Sequence, residues 1–252
     1  MLALERLTPL RGKPLITMPL LKATRVVRRF GGVTALAGVD LEVDRAEILG
    51  LIGPNGSGKT TLVNCISGVL PVHEGEVWLA GAPITRARRP KRAHAGLART
   101  FQSPRLFGEL TVRENVTIGL SNSRSRRPRT VEPLLERLGL TEVAREAVAG
   151  LSYGYQRRVE IARALAGRPA VLLLDEPAAG LNDAETEALR VLLLEIRAEE
   201  KCAIVVIDHD MNFVMNISDR VQVLDEGRII FVGAPGEVFK QTHVVEAYLG
   251  AD

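Results

Sequence analysis

Gly53-Pro54-Asn55-Gly56-Ser57-Gly58-Lys59-Thr60 constrains this chain more than any other stretch. Glycine, four residues, then Gly-Lys-Thr is the pattern of a loop that wraps an anion between a strand and a helix. The flanks supply both elements: Glu47 to Ile52 reads as a short buried strand, and Thr60 to Val69 as a helix. The glycines let backbone N–H groups approach an oxyanion in conformations closed to other residues. The start of the helix adds unpaired N–H groups and the positive end of its dipole. In such a loop Lys59 reaches the β- and γ-phosphates of a nucleotide and Thr60 ligates Mg²⁺.

At 252 residues the chain is one large domain or a domain with a subdomain, and its 46% apolar content supplies a core. Net charge is +3. Nine of the 33 basic side chains fall in two runs, Arg86, Arg88, Arg89, Lys91 and Arg92, then Arg124, Arg126, Arg127 and Arg129; the remainder is mildly acidic. The basicity is local, so each run reads as a solvated surface, with lipid or nucleic acid as the minor alternative. Two cysteines, Cys65 and Cys202, give neither a disulfide framework nor metal spacing, and a reducing compartment follows. No run of apolar residues is long enough to span a bilayer. Residues 1–20, broken by prolines and charges, read as a disordered extension and not as a signal peptide.

In chain order, Leu21–Val27 and Val39–Val43 read as antiparallel strands, with Phe30 between them. An aromatic there either stacks on an adenine face or simply packs. Gly75–Leu79 is a strand, 86–97 a basic helix, and Ala98–Gln102 a short strand ending in a glutamine. Residues 103–150 change character, with helices at 111–120, 131–138 and 141–149. A helix over 155–166 follows Leu151-Ser152-Tyr153-Gly154-Tyr155-Gln156. Val171–Leu174 is a continuous apolar run ending in Asp175 and Glu176, which suits a central parallel strand. Its carboxylates would then stand at the carboxyl end, where open α/β sheets bind ligands. Leu189, Leu192, Leu193 and Ile196 mark a helix over 183–197, Cys202–Ile207 is a strand ending at Asp208-His209-Asp210, and 221–232 is a hairpin. Short helices near 235–240 and 244–249 follow. The expected fold is therefore α/β with a mostly parallel sheet, an N-terminal antiparallel β part and an inserted helical part.

Phosphoryl transfer to water needs a metal on the β- and γ-phosphates, a group that activates water, and a contact to the γ-phosphate. Asp175 is placed to hold Mg²⁺, and Glu176, turned away from it by strand alternation, is the candidate base. Gln102 and His209 each end an expected strand and reach the same crevice, unless they are ordinary structural polar residues.

These motifs, in this order over about residues 21–250, resemble the nucleotide-binding subunits of ATP-binding-cassette (ABC) transporters: the loop 53–60, Gln102, the Leu-Ser-x-Gly-x-Gln segment 151–156, Leu174-Asp175-Glu176 and His209. The resemblance implies a P-loop NTPase core over 21–102 and 156–252, with 103–155 as a helical signature subdomain. It implies that Phe30 stacks on adenine and that Gly53, Pro54, Asn55, Gly56, Ser57, Gly58, Lys59, Thr60 and Thr61 hold the phosphates of ATP. It implies that Thr60, Gln102 and Asp175 hold Mg²⁺, that Glu176 is the base and that His209 contacts the γ-phosphate. Gln102 would also couple the site to the helical part. Such sites form between two ATPase subunits, identical or not, so Ser152 and Gly154 of one chain would meet the γ-phosphate held by the other.

Two departures, Tyr153 for a usual glycine and Asn182 for a usual aspartate, point to a subfamily. Arg99-Thr100-Phe101-Gln102 with Arg105-Leu106-Phe107, Gln156-Arg157-Arg158, Ala179-Gly180-Leu181-Asn182 and Val245–Gly250 are together similar to the ATPases of bacterial branched-chain amino-acid importers. That implies a cytoplasmic protein on the inner face of the cell membrane. Its partners would be integral-membrane permease subunits and, indirectly, an extracytoplasmic solute-binding protein. Phe107 and Leu110 would either receive a short permease helix or pack the subdomain core. A lipid or lipopolysaccharide exporter ATPase shares most of these motifs. A nucleic-acid ATPase is the remaining reading; only the arginine runs support it, and no nucleic-acid partner is expected.

Overall fold

The computed structural model describes residues 18–122 and 130–249. The extension up to residue 17 and the second arginine run, Arg124 to Arg129, lie outside the described residues. The first half runs β1 (Leu21–Phe30), β2 (Val33–Val43), β3 (Ile48–Ile52), α1 (Lys59–Ser67), β4 (Glu74–Leu79), β5 (Ala82–Pro83), α2 (Arg89–His94), β6 (Leu97–Arg99) and α3 (Val112–Gly119). The second half runs α4 (Glu132–Arg137), α5 (Tyr153–Ala166), β7 (Val171–Asp175), α6 (Asp183–Glu200), β8 (Ala203–Ile207), α7 (Met211–Ile217), β9 (Arg220–Asp225), β10 (Arg228–Gly233) and α8 (Thr242–Leu249).

Two sheets result. One is antiparallel, in the order β2-β1-β4-β5. The other, β10-β9-β3-β8-β7-β6, is parallel except for its β9–β10 hairpin edge. Strands β3, β7 and β8 are buried along their whole length, which explains their unbroken apolar runs. Their alternate residues enter two different cores. Ile48, Ile52, Leu172, Leu174, Ile204 and Val206 pack with α5, α6 and α7. Leu49, Leu51, Val171, Leu173, Val205 and Ile207 pack with α1 and the antiparallel sheet. The phosphate-loop segment therefore leaves β3 at the carboxyl edge of a sheet fixed on both faces, close to the ends of β7 and β8.

Several elements differ from the sequence reading. Strands β1 and β2 are longer than expected and meet at Phe30 and Val33; a register shift after Ala23, where Arg25 takes φ +46, breaks the two-residue alternation. The basic helix expected over 86–97 shrinks to α2 because Gly96 turns out of it at φ +102, leaving Leu97 to start β6. Arg92, expected on a solvated face, is buried: its guanidinium donates to the carbonyls of Cys65, Ile66 and Thr85, closing the carboxyl end of α1. Gln102 lies three residues beyond β6, in a loop and not at a strand end. Helix α5 begins at Tyr153, so it runs unbroken through residues 155 and 156. Helix α7, between Asp210 and Ser218, was not anticipated.

The helix expected over 141–149 is absent, although its residues favour helix. Its carbonyls are spent on α3: Val112 donates to Glu146 O and Arg113 to Ala144 O. Thr111 and Glu114 cap each other reciprocally, so the first turn of α3 is fully satisfied. Tertiary hydrogen bonding outweighs local propensity here.

Candidate functional site

Three conformational facts shape the phosphate loop. Gly53 has φ +150, and a Cβ there would meet the Leu224 carbonyl oxygen at 1.9 Å, so no other residue fits against β9. Gly58, the residue before α1, has φ +109 and abuts the Ala35 carbonyl of β2. Gly227 in the β9–β10 turn donates to Ser57 O, and Ala37 donates to Gly227 O. The loop is thus clamped between both sheets. Lys59 Nζ donates to Gly53 O at 2.7 Å and Pro54 O at 2.8 Å, across the loop mouth. Burial pushes the Lys59 pKa down, and the nearby Glu176 and Asp175 carboxylates oppose that shift.

Gly53, Asn55, Lys59, Thr60, Thr61, Glu176 and His209 line one cleft of about 240 Å³. Glu176 leaves β7 at φ +48, and its N–H donates to Ile207 O at 2.7 Å. Strand alternation is therefore not what separates it from Asp175; a left-handed backbone turn is. Its Oε2 accepts from Gln102 Nε2 at 2.9 Å and lies 3.9 Å from His209 Nδ1. His209 is largely exposed, on a loop held by Asp208, whose buried carboxylate accepts from the N–H groups of Ala178 and Asp210.

Asp175 sits behind this cleft. Its side chain is 3% exposed, and its Oδ2 accepts from Arg99 Nη2 at 2.8 Å. Burial pushes its pKa up, against the opposing pull of Arg99. Thr60, Gln102 and Asp175 offer only a hydroxyl, an amide and a carboxylate. Among the described residues no cluster of three or more His, Cys, Asp or Glu could hold a metal ion. A sparse set of hard oxygen donors fits Mg²⁺, which keeps waters and takes substrate phosphates as its other ligands.

The remaining expected residues lie elsewhere. Phe30 ends β1, 44% exposed, with the Arg28 guanidinium 4.5 Å from its ring centroid. Ser152 is exposed at the start of α5, and its side chain makes no capping bond. Gly154 is buried, and the close approach it permits is intramolecular: a Cβ would stand 2.4 Å from Glu185 Oε1.

The sequence reading missed the groups that hold this arrangement. Arg157, 1% exposed, donates to Phe101 O, Gln102 O and Glu176 O, and pairs with Glu160 at 2.9 Å. Glu160 in turn accepts from the N–H groups of Phe101 and Arg105. An arginine and a glutamate one turn apart beside the apolar stripe of α5 were the available signal. A groove of about 430 Å³ lies alongside, lined by Phe101, Arg105, Phe107, Ile118 and Arg163 among others. Phe107 faces it, half exposed. Leu110 does not line it; its backbone closes a turn with Phe107 and receives Val148 N–H.

The ABC transporter family model matches residues 36–179. The chain is 38% identical to the high-affinity branched-chain amino acid transport ATP-binding protein BraF of Pseudomonas aeruginosa, over 93% of this chain and 99% of that protein. It is 40% identical over the same shares to LivG of Escherichia coli, which carries the same description. Among solved structures, the ADP conformation of MJ1267, an ATP-binding cassette of an ABC transporter, superposes with a TM-score of 0.83 at 33% identity, covering 93% of this chain and 100% of that one.

Proposed function

The chain belongs to the ABC transporter family of ATP-hydrolysing subunits, and on that premise we propose that it drives the import of branched-chain amino acids across a bacterial cell membrane. The observation that carries the catalytic part is the hydrogen bond between Gln102 and Glu176 at the edge of the cleft lined by Lys59, Thr60 and His209. Glu176 takes the proton of the attacking water. Gln102 holds the Glu176 carboxylate and reports on the helical part, which α5 links to it through Arg157. His209 contacts the γ-phosphate, and residues 53–61 cradle the phosphates while Phe30 stacks on the adenine. Thr60, Gln102 and Asp175 would hold Mg²⁺, which would supply neutralising charge to the β- and γ-phosphates.

Ser152, with its unspent hydroxyl, and the N-terminus of α5 complete the site of a second ATPase subunit. No helix among the described residues is long and apolar enough to cross a membrane. By its likeness to importer ATPases, the chain is proposed to work on the inner face of the membrane with separate permease subunits. The groove beside Phe107 receives them. The solute preference follows the relatives and belongs to the permease and an external solute-binding protein; nothing here touches the solute.

Glu176→Gln tests the assignment: ATP turnover should fall by about a hundredfold or more while ATP binding persists. Parental turnover in that variant would remove Glu176 from the role. Uptake of labelled leucine by vesicles carrying the assembled complex tests the solute.

A further inference from the structure

Arg99 belongs to the motif 99–102, yet neither the phosphate loop nor the Gln102–Glu176 pair uses it. It ends β6, beside β7. Besides Asp175 Oδ2, its guanidinium donates to Asn64 Oδ1 and, at 3.1 Å, to Ser67 Oγ. Thr60, Asn64 and Ser67 stand at i, i+4 and i+7, which puts them on one stripe of α1. The stripe that carries Thr60 at its start is therefore tied to Asp175 by one side chain. The Arg99 side chain is 9% exposed and the Asp175 side chain 3%, so the pair is shielded from water, and without Arg99 the carboxylate would be buried and uncompensated. Arg99 engages one carboxylate oxygen, Oδ2, and leaves Oδ1 to other ligands.

We propose that Arg99 is a positioning residue: it fixes the Asp175 carboxylate against the Thr60 stripe of α1 and so sets the spacing of two oxygen donors for the divalent cation. The inference rests on the reading of Asp175 as a metal-holding residue. Outer partners of metal-holding carboxylates act this way by locking orientation and charge.

The test uses the full chain with Mn²⁺ and a non-hydrolysable ATP analogue, reading bound Mn²⁺ by electron paramagnetic resonance. Arg99→Met should raise the Mn²⁺ dissociation constant about tenfold or more, and binding of the analogue in EDTA should stay near parental. Arg99→Lys should recover part of the loss. Asn64→Ala/Ser67→Ala, which removes both side-chain tethers on α1 without touching the buried charges, should weaken Mn²⁺ retention in the same direction, and with Arg99→Lys it carries the test if Arg99→Met does not fold. Parental Mn²⁺ affinity in these variants, while Asp175→Asn loses it, would overturn the role of Arg99. Parental affinity in Asp175→Asn as well would bring down the metal reading of Asp175 and this inference together.

Discussion

Gln102 Nε2 lies 2.9 Å from Glu176 Oε2, although the two residues are 74 positions apart and neither is on a regular strand. The bond joins a loop after β6 to the turn after β7. Replacing Gln102 by Ala leaves Glu176 in place, because its N–H is held by Ile207 O, but frees its carboxylate to rotate. Turnover should fall by about ten- to a hundredfold, through a displaced Glu176 carboxylate together with a lost metal donor, with metal-free ATP affinity nearly unchanged. Steady-state ATPase assays alongside equilibrium nucleotide binding check this.

Arg157 and Glu160 form a buried pair whose loss is asymmetric. Arg157→Met leaves Glu160, whose pKa burial already pushes up, without its cation. Stability should drop by about 3–5 kcal/mol. The double variant Arg157→Met/Glu160→Leu should recover much of that, because no charge is then stranded. Urea unfolding midpoints at constant slope would show it; equal losses in both variants would contradict it.

Gly154→Ala sets two small effects against each other. Alanine favours the helix by about 1 kcal/mol, but its Cβ would collide with Glu185 Oε1 at 2.4 Å. Glu185 can swing away only by giving up its bond to Asn182 N–H, one half of a capping box whose loss costs about 1 kcal/mol. The melting temperature should therefore stay close to parental. ATP-dependent dimerisation and turnover should nevertheless fall, because the displaced Glu185 adjoins the Ser152 end of α5, which is proposed above to meet a second subunit. Size-exclusion chromatography of the Glu176→Gln background with ATP separates the two outcomes.

Burial pushes the Cys65 thiol up to about 11 and the Cys202 thiol up to about 12. A thiol whose folded pKa is raised contributes stability that is complete below the unfolded thiol pKa and is lost as pH rises through the folded value. Native protein should resist iodoacetamide near pH 8, and its stability should decline from about pH 9 toward 11. The Cys65→Ala/Cys202→Ala variant should decline less steeply, whatever its stability at neutral pH. Unfolding curves taken at intervals over that range check the sign.

The phosphate loop, the strand ending in Asp175 and Glu176, and the parallel sheet were legible because each rests on local pattern: glycine spacing, unbroken apolar runs and strand–helix alternation. Residues 141–149 were misread because their carbonyls serve α3, a long-range debt that a propensity argument does not see. Arg92 was misread for a related reason: its run of charges gave no hint that one side chain turns inward to the end of α1. Arg99 escaped because its partners lie tens of positions away, and the Arg157–Glu160 pair, though one turn apart on α5, escaped because what it holds is the backbone of a distant loop and turn. Glu176 was assigned to the site by its place in the chain, but the reason offered, strand alternation, yielded to a positive φ.

The guanidinium of Arg157 grips the backbones of Gln102 and Glu176 from the same helix that begins at Ser152. In the proposed dimer that helix serves its own chain's chemistry from its middle and a neighbour's from its tip. An allele altered there would harm two sites with one lesion.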